Sequence, residues 1–344
     1  MTNSPVRSHL QRLNGMLLVS VIFLFLVLSA RSADQSVEPA WPPPPAEPYV
    51  VYVRSISGPA DIGAKPALFN RFANWITGIQ KEKEKLDKPF GLFVDKAGNL
   101  LVTDTGANEV YYLDLVRKKW RHWKAAGDTR FMSPVAAICY GNTFFVADSA
   151  LGKVIAFDEK GRKQFEITNE LGRPAGLALS GDRLIIADSE KHQVLIYNVS
   201  GELISKFGHR GRASGEFNFP THVNVDDGGR IYVTDSLNRR IQVFDADGKF
   251  LWEFGSAGDG PGCFDRPKGV AVDGVGHVYV VDAMFDNVQI FNEQGRLLLA
   301  LGETGAEAGQ FWLPNAIAIN SKNEIFVADT YNHRIQMLRY TGKP

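Results

Sequence analysis

Six times along this chain a proline is followed, 14 or 15 residues later, by an aspartate that closes an apolar run. The prolines are Pro89, Pro134, Pro174, Pro220, Pro267 and Pro314; the aspartates are Asp104, Asp148, Asp188, Asp235, Asp282 and Asp329. The aspartates stand 44, 40, 47, 47 and 47 residues apart. A period of that size is the signature of a repeat architecture, in which each unit must stack on its neighbours to bury its faces.

The fourth copy is the clearest. Residues 221–225, 230–234, 240–244 and 249–254 alternate apolar and polar side chains. Turns rich in Asp and Gly separate them, as expected of four antiparallel strands. Four strands per ~45 residues make one blade of a propeller. The sequence therefore predicts an all-β fold: a six-bladed β-propeller of four-stranded antiparallel blades over residues 49–344. The last copy lacks a fourth strand, and residues 49–56 resemble the fourth-strand phrase at 251–258. This N-terminal strand is expected to complete the last blade, leaving no long unpaired edge there.

The phrases TDSLNRRIQVFDADGKFLWEFG (234–255) and ADTYNHRIQMLRYTG (328–342) resemble the NHL-repeat family. ADSEKHQVLIYNVSGELISKFG keeps the outline in the third copy, and the first copies are degenerate. The resemblance implies the propeller fold and, for most members, a platform that binds proteins or RNA. Some relatives are enzymes, including a zinc-dependent amidating lyase with histidine directly after the proline in more than one blade. Here those positions hold Phe90, Val135, Ala175, Thr221, Lys268 and Asn315. That departure argues against the lyase chemistry.

The first strand of each blade lines the axis of a propeller. All but the fourth of these strands carry a small residue two places after the proline, none has a carboxylate near it, and the fourth has His222, their one histidine there. A calcium site needs several convergent oxygens and a zinc site about three ligands, so no metal, cofactor or catalytic set is expected. Thr221, His222, Lys268 and Asn315 form a polar sector at one mouth. That sector is a candidate site for a small anion or a peptide terminus, with Lys268 as the charge; the alternative is a solvated rim. The six aspartates are expected to cap backbone, not bind metal. Arg240 and Arg334 are expected to bond within or between blades. Cys139 is expected to pack and to form no bond with Cys263.

Two segments stand outside the repeat. Residues 1–33 hold Arg7 and Arg12, no acid before position 31, and an apolar run from Gly15 to Ala30. They read as a signal peptide or, if uncleaved, an N-terminal membrane anchor. Residues 34–48, with Pro42 to Pro45 in succession, read as a proline-rich spacer. Between the closing strand and Pro89, Leu68, Phe69, Phe72, Trp75, Ile76 and Ile79 recur at helical spacing. A short helical insertion over about 66–85 is expected, with Phe72 and Trp75 as anchors for a partner. Asn198-Val199-Ser200 is a glycosylation sequon, relevant only in a eukaryotic source.

Thirty-eight Lys and Arg balance thirty-eight Asp and Glu. That balance does not suit a nucleic-acid binder. The basic-aromatic run at 117–124 falls on the first blade's outer strand, where lysines discourage pairing between chains. The sequence points to a non-catalytic, extracytoplasmic (periplasmic or secreted) scaffold, a monomeric propeller that binds a protein or peptide on one face. Only its N-terminal segment would touch membrane. The alternatives are a lyase or hydrolase at the channel mouth, amidating-lyase-like or lactonase-like, and a small-ligand sensor.

Overall fold

The repeat folds as its spacing requires. A computed structural model describes residues 38–64 and 84–342. Five sheets of four antiparallel strands follow one another in chain order: blade one from Pro89 to Trp123, blade two from Pro134 to Ile167, blade three from Pro174 to Phe207, blade four from Pro220 to Phe254 and blade five from Pro267 to Leu301. Blade six takes Ile317–Ile319, Glu324–Asp329 and Arg334–Tyr340 from the C-terminal end and Val50–Ile56 from the N-terminal end. The closing strand pairs antiparallel with the last one, Val50 against Tyr340 and Ile56 against Ile335.

One boundary moves. Ala40–Trp41, expected within the spacer, pairs with Val50 and Val51 as a fifth strand of blade six. Trp41 packs against the apolar cluster shared by blades five and six, which includes Tyr279, Phe311 and Leu338. Burying that indole supplies what the prolines around it cannot, a reason to order the segment. The expected signal or anchor, and the helical insertion with Phe72 and Trp75, lie outside the described residues. The described part of the domain has no α-helix, only three 3-10 turns.

Second and third strands are buried on both faces and form the seams between blades. The run Leu100–Asp104 is buried throughout, as are Ile231–Asp235 and Arg240–Phe244. In the outer strands of blades four and five half-buried and exposed residues alternate, as a half-solvated edge should. Lys119–Trp123 is such an outer strand, where the basic-aromatic run was expected.

The six aspartates are fully buried and act as backbone acceptors. Asp104 takes the N–H groups of Asp87, Lys88, Gly106 and Ala107 at 2.7–3.0 Å. Blades two, three and five repeat this pattern around Asp148, Asp188 and Asp282. Each aspartate thus ties its second-strand turn to the loop that enters its own blade. Blades four and six do it differently. Asp235 accepts from Asn218 N–H and from the side chains of Asn238, Arg240 and Gln242; Asp329 accepts from Trp312 N–H, Asn332, Arg334 and Gln336. Arg240 also donates to the carbonyls of Ala213 and Glu216, and Arg334 to those of Glu307 and Gln310. The expected role of both arginines is the one observed: they fasten entry loops.

Three entry loops share a device that accounts for the 47-residue spacing. In 208–219, 255–266 and 302–313 the loop folds back so that Phe217, Phe264 and Phe311 are fully buried. Each ring lies over a glycine at φ +84° to +88°, namely Gly208, Gly255 and Gly302; a Cβ there would meet the ring at 2.3–2.5 Å. Cys139 and Cys263 are free thiols, and burial pushes Cys139 up to about 12.

Candidate functional site

The first strands stand close around the axis, and the second residue after each proline decides how close. A Cβ on Gly91 would lie 2.4 Å from the Val135 carbonyl oxygen, and one on Gly176 2.9 Å from the Cα of His222. On Gly269 it would lie 2.7 Å from the amide nitrogen of Ile317 and 2.8 Å from the Cα of Ala316. These are backbone atoms that cannot swing aside. Glycine or alanine fills five of the six positions, and the sixth is His222.

The first strands enclose a cavity of about 160 Å³. Its wall runs from Gly91, Gly176, His222 and Gly269 to Val94, Leu179, Val225 and Ile319. At the entry-loop end, Asn315 of blade six reaches over Gly269 of blade five to His222 of blade four, Nδ2 to Nε2 at 3.3 Å. The same Nδ2 donates to the Phe90 carbonyl of blade one at 3.0 Å. A carbonyl only accepts, so it fixes the Asn315 amide, and the amide fixes the imidazole: Nε2 accepts and Nδ1 carries the hydrogen. Nδ1 and the hydroxyl of the adjacent Thr221 are both buried without a partner among the described residues.

Burial, then the neighbouring Lys268 ammonium, hold His222 at about 3, far below the ordinary imidazole range. It is neutral at any physiological pH and a weak base, poorly matched to general-base catalysis near pH 7. Lys268 is lowered too, first by burial and then by Arg266 and Arg173. The four residues expected to form one sector are therefore gathered in part. His222 and Asn315 touch, Lys268 acts on His222 through its charge, and Thr221 bonds to none of them. Arg173 and Arg266 were not anticipated. Each directly precedes a blade-opening proline, one place before the positions read for channel chemistry, and that offset is the signal that could have found them.

The entry-loop face also carries exposed apolar side chains. Met132, Phe219, Leu237, Met284, Trp312 and Tyr331 stand there, against Tyr49, Val116, Tyr140 and Val275 on the opposite face. Trp312 and Tyr331 are in contact, with centroids 5.8 Å apart, and Lys88 lies 5.5 Å over the Tyr331 ring. Among the described residues no group of three His, Cys, Asp or Glu is placed to hold a metal ion.

Residues 171–197 and 311–337 match the NHL-repeat family, and residues 221–284 match a family described as a 6-bladed beta-propeller. The chain is an NHL-repeat six-bladed β-propeller. The matched stretches include both blades in which Asn, Arg and Gln gather on the buried aspartate. No curated protein matches this NHL-repeat chain in sequence. Among solved structures, it is similar to a structural-genomics protein of unknown function from Bacteroides thetaiotaomicron, with a TM-score of 0.60 and 15% identity over 75% of this chain and 70% of that one. It is also similar to a streptogramin B lyase, with a TM-score of 0.57 and 13% identity over 74% and 93%. A third is hydrazine synthase of Kuenenia stuttgartiensis, with a TM-score of 0.55 and 13% identity over 78% and 99%. At such identity the likeness is one of fold alone.

Proposed function

We propose that this NHL-repeat propeller is a non-catalytic, extracytoplasmic scaffold that binds a protein or peptide on its entry-loop face. The observation that carries the reading is the exposed Trp312–Tyr331 pair beside the cationic channel mouth. Binding surfaces are enriched in aromatic residues, methionine and arginine, and Trp312, Tyr331, Met132 and Met284 stand exposed on this face. In this reading Lys268 supplies charge at the centre of the face, and Thr221, His222 and Asn315 form the polar wall beside it. The extracytoplasmic placement rests on Arg7, Arg12 and the apolar run from Gly15 to Ala30; protease added after the outer envelope is opened, with the plasma membrane intact, should cleave the chain. The lyase alternative rests on His222 and on fold likeness, and a conjugate acid near 3 gives that histidine little to do as a base.

The test is a photo-crosslinking residue placed at Trp312 or at Val275, on the opposite face, in the full chain in its own cells. Crosslinked adducts specific to position 312 are expected. Adducts at neither position, or equally at both, would overturn the choice of face.

A further inference from the structure

The blade-opening prolines generate two concentric sets of side chains around the channel mouth. The residues just before them are Lys88, Ser133, Arg173, Phe219, Arg266 and Leu313. Three are cations, none is an acid, and the cations come from alternate blades, one, three and five. The residues just after them divide in half. Blades one to three contribute Phe90, Val135 and Ala175, all apolar; blades four to six contribute Thr221, Lys268 and Asn315, all polar. Among the described residues no carboxylate pairs with Arg173, Arg266 or Lys268. Lys268 is half-buried and the two arginines are exposed; their like charges lower the Lys268 ammonium after burial does, so the mouth carries positive charge that a bound anion would offset.

Two further facts narrow the anion. On one side of the mouth the residues after the prolines, Phe90, Val135 and Ala175, offer no polar side chain, so an ion that needs donors all round, such as phosphate, would find none there. Directly beneath, Asn315 bridges His222 and the Phe90 carbonyl across the axis, which narrows the way through and favours a chain that enters by its end.

We propose that the channel mouth binds the C-terminal carboxylate of a peptide whose last residue is apolar. Lys268 faces the carboxylate, Arg173 and Arg266 flank it, and the last side chain lies against Phe90, Val135 and Ala175. This assignment rests on the entry-loop face being the peptide-binding face.

The probe is a pool of acetylated tetrapeptides Ser-Gly-Ala-X, with X as Val, Leu or Phe, in free-acid and C-terminally amidated forms. Isovalerate is a separate arm. Each is titrated against the full chain in detergent by saturation-transfer NMR. The free acids should bind at least about tenfold more tightly than the amides, as expected for loss of a charged hydrogen bond. Lys268→Met should bring the acids down to the level of the amides, Lys268→Arg should restore much of the difference, and Lys322→Met on the opposite face should change nothing. Equal binding of acids and amides, no binding of either, or full acid affinity in a folded Lys268→Met would overturn the proposal. Isovalerate binding as tightly as the peptides would overturn the peptide as the source of the carboxylate. The crosslinks at Trp312 read the face independently, so loss of the carboxylate preference with those crosslinks intact separates the two failures.

Discussion

The hydroxyl of Thr330 donates to the carbonyl of Pro89 at 2.8 Å, joining the last blade to the first across 241 positions of sequence. Ser149 makes the equivalent bond to Pro174 at 2.6 Å and Ser236 to Pro267 at 2.9 Å. These short side chains sit in the second-strand turns and stitch alternate seams of the ring. In blade six the bond adds to the closing strand, so the seam between the chain ends is held twice.

Thr330→Val should leave the buried Pro89 carbonyl without its donor at nearly unchanged volume. The expected cost is about 1–3 kcal/mol of unfolding free energy, measured by urea denaturation. A change below about 0.5 kcal/mol would mean that the closing strand alone carries this seam.

Gly269→Ala should be among the most damaging small substitutions in the chain. The added methyl meets backbone of blade six at 2.7–2.9 Å, and overpacking of that kind costs about 1–3 kcal/mol or more. Gly274→Ala, where a Cβ finds nothing within 4 Å, is the matched control and should unfold like the parent. Equal midpoints for the two variants would contradict the crowding of the first strands.

His222 sets a pH dependence whose sign is fixed. Its pKa in the folded chain is about 3, against about 6.5 when unfolded. Between these values the unfolded state holds the extra proton, so stability is full above about 6.5 and falls as pH drops towards 3. By pH 5 the loss from this residue should be about 2 kcal/mol. In His222→Asn that part of the dependence should vanish, seen as a smaller change in denaturation midpoint between pH 7.5 and 5. An unchanged slope would place the titration on other groups.

Arg240→Met should loosen one loop and leave the rest of the ring folded. The guanidinium holds Ala213 and Glu216 as well as Asp235. Its loss leaves a buried carboxylate short of a partner, at a cost of about 3–5 kcal/mol. Limited proteolysis should then cut first within residues 209–218. Cleavage elsewhere at the parent rate would show that the loop is fastened by Gln242 instead.

Much of this was readable because the repeat is local. Each proline, turn and aspartate lies within about 15 residues of its partners, so one strand's pattern predicts the next. The closing strand was legible through its likeness to residues 251–258, and the aspartates through their place at a strand end. Contacts that skip blades were not legible. Asn315 meets His222 at a separation of 93 residues, and only the absent side chain at Gly269 between them permits it. Trp41 was hidden for another reason: its neighbours are prolines, and the segment is ordered by what the indole covers, not by its own pattern. The buried phenylalanines of the entry loops fall between strands, where no alternation announces them.

Because Val50 finds its partner at Tyr340, one blade waits for both ends of the chain. During synthesis the closing strand emerges first and its partner last, so it spends the whole interval with bare amide and carbonyl groups. Blades one to five can each assemble from neighbouring sequence in the meantime. The slow step should therefore be a single long-range docking event, and its rate should depend on how freely the early strand can diffuse back. A tether on its N-terminal side would shorten that search or frustrate it, according to the slack between the anchor and Pro39.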